Sequence, residues 1–178
     1  MILALLVVVT GIAMVKVERI NGALRANSEE HVQVQRYAIN FRGSAHDRSI
    51  AVRDVVLGST SAERQKEIAT IESLAAFYAA SAGPLEKFVA RPGAEPDIRD
   101  IEAQAVATTR AIVAQAEAGD AAARETLWQQ AKPQYVQWLA AINRLIDFEE
   151  ARIQAENRTA LEQAGSFLTV QASLAAVV

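Results

Sequence analysis

KVERINGALRANSEEHVQVQRYAINFRGSAHDRSIAVRDVVL, Lys16 to Leu57, carries the periodicity that decides the fold. Alternate steps of four and three residues from Ile20 give Ile20, Leu24, Asn27, His31, Val34, Ala38, Phe41, Ala45, Arg48, Val52 and Val55. Apolar spacing of seven held over about five heptads predicts one long helix in a bundle or coiled coil. Asn27, His31 and Arg48 are the polar members of this seam. Gly58 ends the helix, and Thr60 with Glu63 forms the capping-box signature of the next one.

Downstream, Ile68, Ile71, Ala75 and Tyr78 share a line on a second helix, with Leu74 and Phe77 beside it. Gly83-Pro84 is expected to kink or end that helix, with a short continuation from Leu85 to Ala90. RPGAEP, Arg91 to Pro96, reads as the clearest loop. Ile98, Ile101, Ala105, Thr108 and Ile112 line a third helix that stops at Gly119-Asp120, where Asp120 caps a fourth. The fourth has a broad apolar face from Leu127 and Trp128 through Tyr135, Trp138, Leu139, Ile142 and Leu145 to Phe148 and Ile153, with a bend expected at Pro133. Short turns at Gly58 and Gly119 make neighbouring helices antiparallel. The expected fold is therefore all-α: an antiparallel up-down-up-down four-helix bundle whose long first and fourth helices continue into transmembrane segments.

The chain of 178 residues, 51% hydrophobic and 22% charged with a formal net charge of −3, suits one folded domain. Acidic and basic residues are interleaved, so no sequence-wide field attracts nucleic acid, and no nucleic-acid partner is expected. Cysteine is absent, which excludes disulfides and thiolate ligands. Met1 to Val15, MILALLVVVTGIAMV, and Phe167 to Val178, FLTVQASLAAVV, carry no charge. Each falls short of the roughly 20 residues that span a bilayer. The first alone resembles the apolar core of a secretory signal without its basic flank, and buried core helix is the alternative for both. The preferred reading makes them the ends of two transmembrane helices of a longer membrane protein. Residues 1–15 then end the first such helix, 16–166 form an extracytoplasmic ligand-binding bundle, and 167–178 begin the second.

No P-loop, dinucleotide-binding, nucleophile-elbow or H-E-x-x-H motif occurs, so neither an enzyme nor a bound cofactor is expected. His31 and His46 are too far apart on one helix to form a metal pair, and no Glu-x-x-His pattern is present. Glu149-Glu150 reads as a solvated face.

The arginines of the first helix remain. A second line, Ile39, Arg42, His46, Ser49, Arg53 and Val56, runs beside the seam that holds Arg48. A buried guanidinium is costly unless paired or hydrogen-bonded. At the helical rise, Arg48 and Thr108 each lie about 15 Å from their turns, and Arg42 lies about 24 Å down, level with Tyr78, Gln134 and Tyr135. Arg42, His46, Arg48, Arg53, Tyr78, Thr108, Gln134 and Tyr135 together supply the donors a small carboxylate needs. The alternative is that the arginines form structural ion pairs, the tyrosines are core aromatics, and Thr108 bonds its own backbone.

RYAINFRGSAHDRSIAVRDVV, Arg36 to Val56, set between two apolar ends, resembles the periplasmic sensor domain of bacterial methyl-accepting chemotaxis receptors. AKPQYVQWLAAIN, Ala131 to Asn143, is similar to the fourth helix of such domains. The resemblance implies a homodimer in the bacterial inner membrane, its bundle in the periplasm. A small anionic ligand, an organic acid or amino acid, would drive a helix displacement to a cytoplasmic chemotaxis module. Arg42, Arg48 and Arg53 match in kind and height the arginines that hold ligand carboxylates in that family. Histidine kinases and cyclic-dinucleotide enzymes carry similar sensor bundles, and a ligand-free structural dimerisation bundle is the further alternative.

Overall fold

The computed structural model describes the backbone of residues 2–26, 32–89 and 97–175, with most of their side chains. Its regular elements are helical: α1 (Ile2–Ala26), α2 (Val32–Leu57), α3 (Ser61–Val89), α4 (Asp97–Glu117), short α5 (Ala122–Thr126), a π turn (Leu127–Ala131) and α6 (Lys132–Ala175). The all-α expectation holds for these residues. Asn27 and His31 of the seam, and the RPGAEP loop, lie outside the described residues. The chain forms two compact units, Val34–Asp147 and a second made of Met1–Gln33 with Phe148–Val178.

In the larger unit the α2 seam is buried as its spacing demands: Val34, Ala38, Phe41, Ala45, Arg48, Val52 and Val55. Against it pack Ile71 and Tyr78 of α3, Ile98, Ala105 and Ile112 of α4, and Tyr135, Trp138, Ile142 and Leu145 of α6. Cross-helix contacts give the directions. Asn40 Nδ2 donates to Ser81 Oγ at 3.3 Å, Ser44 Oγ to the Leu74 carbonyl at 2.7 Å and Arg64 Nη1 to the Gly58 carbonyl at 2.8 Å. Partners on α3 fall in number as those on α2 rise, so the two helices run antiparallel. Arg42 with Asn143 and Arg48 with Trp138 order α2 against α6 in the same way.

The turns follow from local chemistry. Glu63 N–H donates to Thr60 Oγ1 at 3.2 Å while Glu63 Oε2 accepts the Thr60 N–H at 3.0 Å and the Ser59 N–H at 2.9 Å, a complete capping box. These backbone donors hold the Glu63 carboxyl below its ordinary pKa. Its contribution is therefore complete above the ordinary carboxylate range and fades as acid protonates it. Thr60→Ala is expected to cost about 1 kcal/mol in urea unfolding. At the end of α4, Asp120 N–H bonds the Gln115 carbonyl at 2.8 Å and Gly119 N–H the Ala116 carbonyl at 3.2 Å, a Schellman arrangement. It requires the left-handed Gly119, at φ 69°. Asp120 Oδ1 then accepts the Ala122 N–H at 2.9 Å, capping the next helix as expected.

Pro84 and Pro133 behave more gently than their sequence context implies. α3 continues through Gly83-Pro84 to Val89, because one proline removes a single hydrogen bond and need not end a helix. Before Pro133 the chain widens into a π turn, with the Lys132 N–H bonded to the Leu127 carbonyl. Pro133 has no N–H to offer the Gln129 carbonyl, and the wider turn absorbs that loss. Phe77 and Trp128, expected on apolar faces, are exposed. Lys132 Nζ covers the Trp128 ring at 4.0 Å from its centroid.

In the smaller unit, Ile12, Met14, Val15 and Val17 of α1 and Leu161 of α6 are exposed. Glu149 is buried rather than solvated: Arg152 Nη1 donates to its Oε1 at 3.3 Å and reaches Glu156 with Nη2 at 3.7 Å. Among the described residues no helix is long and apolar enough to cross a membrane.

Candidate functional site

Among the described residues of the larger unit, Arg48 is the buried cation, 3% exposed in the α2 seam. Its guanidinium carbon lies 5.1 Å from the Trp138 ring centroid, and its Nε is buried without a hydrogen-bond partner. Among the described residues no carboxylate forms an ion pair with it. Around it, Tyr78 stacks on Phe41 with centroids 4.0 Å apart, Trp138 meets Tyr78 edge-on at 5.3 Å, and Tyr135 tilts against Trp138 at 5.7 Å. Tyr135 Oη and Thr109 Oγ1 are hydrogen-bonded at 2.9 Å in the core. The Tyr135 hydroxyl also lies close enough to the Arg48 guanidinium to interact with it as a hydrogen-bond partner, and the Glu102 carboxyl is within electrostatic reach of the same guanidinium.

Burial dominates the protonation behaviour of this layer. It pushes the Tyr78 hydroxyl far above its ordinary range, with the Glu102 carboxylate adding to the effect. It also raises Tyr135, against the opposing pull of Thr109 and Arg48. Glu102, half-buried on α4, is raised by burial although the Tyr78 hydroxyl, Arg48 and Arg99 favour its ionised form. The folded protein therefore binds this proton more tightly than the unfolded chain. Stability from Glu102 is full below the ordinary carboxyl pKa and is lost as pH rises through the folded value. Glu102→Gln should raise the melting temperature at pH 7, and the gain should close as the pH falls below about 4.3, the ordinary glutamate range. Scanning calorimetry across that range checks it.

The expected donor set divides. Arg48, Tyr78 and Tyr135 come together in the core. Arg42 and His46 are exposed: Arg42 Nε donates to Asn143 Oδ1 at 2.9 Å, and His46 Nδ1 sits 3.1 Å from Asp47 Oδ1. Arg53, also exposed, grips Asp54 through Nε at 2.9 Å, which raises its pKa further. It lines a cleft of about 580 Å³ near Gly58 and Gly119, with Arg64, Arg124 and Trp128. His46 stands two residues from Arg48, a turn of about 200°, so the two side chains occupy opposite faces of α2. Thr108 is buried, but Thr109 is the hydroxyl that meets Tyr135. Gln134 is half-buried, its Oε1 enclosed without a hydrogen-bond partner.

Trp138, Thr109 and Glu102 belong to this layer and were not among the expected donors. Glu102 and Thr109 share heptad spacing on α4 beside its apolar line, a signal present in the sequence. Trp138 Nε1 is buried without a partner of hydrogen-bond geometry, although Tyr78 is close. Arg48 and Thr109 also line a cleft of about 360 Å³ whose other walls belong to α3 and α4. Among the described residues no group of three or more His, Asp or Glu is placed to hold a metal ion. Chemically, the arrangement offers a desolvated guanidinium and two hydroxyls, which suits anion binding rather than proton transfer. No protein-family model matches the chain, and no curated protein or solved structure matches it.

Proposed function

We propose that the chain is the sensor part of a bacterial chemoreceptor that binds a small anionic ligand at Arg48. In this reading residues 16–166 form an up-down-up-down four-helix bundle in the periplasm, and residues 1–15 and 167–178 belong to helices of the inner membrane. The observation that carries it is a buried arginine with an unpartnered Nε and no ion-pairing carboxylate. Such a group is retained at a cost unless an anion completes it. The exposed apolar side chains of α1 support burial of that helix in lipid or against a second copy.

Ligand binding would stabilise one of two helix packings, and α6, helical from Lys132 to Ala175, would carry the displacement. Arg42, His46 and Arg53 lie on the outer flank of α2, where they serve a homodimer seam rather than the Arg48 ligand. The output is a chemotaxis module, with a histidine kinase or cyclic-dinucleotide enzyme as the alternative.

Thermal unfolding with a panel of organic acids and amino acids tests the reading. A ligand at one hundred times its Kd stabilises the fold by about 2.7 kcal/mol, and that gain should vanish in Arg48→Met. A second reading, a ligand-free dimerisation bundle, is favoured by the Trp138 ring against Arg48. No shift with any member of the panel decides for it.

A further inference from the structure

The cleft between α3 and α4 has one strong internal charge. Arg48 and Thr109 are buried residues on its lining, Ile68, Ile71, Val106 and Val113 form apolar walls, and Glu72, Glu117 and Arg110 are exposed at its edge. Glu117 is held there by Gln65 Nε2 at 2.6 Å. We infer that this cleft is the ligand chamber, that one chain supplies all of it, and that its ligand is an aliphatic monocarboxylate. The inference rests on the sensor reading above and specifies where and what the sensor binds.

A single carboxylate is what the interior can neutralise, since Arg48 is the one buried cation on the cleft lining. A second carboxylate would lie toward the exposed edge, where Glu72 and Glu117 outnumber Arg110 and the net charge opposes it. An ammonium group would have to lose water with no buried acceptor of negative charge on the lining. The apolar walls reward a hydrocarbon body instead. Benzene occupies a cavity of about 150 Å³, so a half-open cleft of about 360 Å³ admits a larger body. Scaling from benzene's six carbons sets an upper bound of about 14 non-hydrogen atoms, and the open side of the cleft leaves part of that volume to water. Arg42, His46 and Arg53 face away on α2, so no partner copy is needed to complete the shell.

The test is isothermal titration of the full chain at pH 7 with propionate, butyrate, hexanoate, succinate and norleucine. Affinity should rise about threefold to fourfold per added methylene up to hexanoate, with one hexanoate per chain. Succinate and norleucine should bind at least about tenfold more weakly than hexanoate. Ala75→Met and Ala114→Met narrow the cleft without altering Arg48, and each should weaken hexanoate binding by about tenfold or more while unfolding stays cooperative. Hexanoate affinity unchanged in both variants, but lost in Arg48→Met, would overturn the chamber and leave the sensor reading standing. Tighter binding of succinate, or one ligand per two chains, overturns the ligand class or the single-chain site respectively. Absence of binding by every acid in this titration and in the thermal panel overturns chamber and sensor reading together.

Discussion

Trp138→Ala is expected to remove about 3–5 kcal/mol of folding stability. The indole is 0% exposed, and it forms the centre of the aromatic layer: Tyr78 meets it at 5.3 Å, Tyr135 at 5.7 Å and the Arg48 guanidinium at 5.1 Å. Truncation loses the buried area and leaves a cavity that helices on several sides cannot collapse into. It also forfeits aromatic pairing worth about 0.5–1.5 kcal/mol per contact. Arg48 would then stand over a void, without the ring face that offsets part of its desolvation. Trp138→Phe should cost much less, because Nε1 has no hydrogen bond to lose and a ring remains in place. Urea unfolding of both variants is the measurement. A loss below about 1 kcal/mol in Trp138→Ala would show that this layer is not the centre of the core.

Arg48→Met should leave the fold as stable as the wild type, or more so, while carboxylate affinity falls about tenfold to a hundredfold. A charge-assisted hydrogen bond contributes about 1.5–3 kcal/mol to such a complex, and each 1.4 kcal/mol is about tenfold. Methionine fills nearly the same volume without a charge to desolvate, and buried charges replaced by apolar groups of like size often leave stability unchanged or improved. Arg48→Ala, by contrast, would lose stability through its cavity. Arg42→Ala should alter stability by no more than about 0.5 kcal/mol, since its bond to Asn143 is on the surface. Calorimetry and urea unfolding on the same preparations separate the effects. Strong destabilisation in Arg48→Met with carboxylate affinity intact would establish Arg48 as a structural cation.

The helical segments were legible because their signals are local. The α2 seam from Val34 to Val55 is buried member by member, and the Thr60–Glu63 box and Asp120 cap form the bonds their spacing implies. Pro84 was less legible, since a proline signals a lost bond without saying whether packing tolerates it. The type of Trp128 points to the core, yet an indole beside a lysine is also satisfied at the surface. The site was legible in height and not in direction. Helix rise placed arginines, tyrosines and threonines at neighbouring levels, but a one-residue change turns a side chain by about 100°. That turn separates Thr109, which meets Tyr135, from Thr108 beside it.

From the sequence alone came the all-α class, the C-terminal ends of α2 and α4, and the presence of an arginine in a packing seam. Those features depend on spacing along one helix and on backbone groups within a turn. Only the tertiary structure decided that Arg48 joins Trp138, Tyr135 and Thr109, while Arg42 and His46 stand on the other face of α2. Lateral neighbours depend on how each helix is rotated and offset against the next. That rotation is set by the close packing of side chains from all the helices at once.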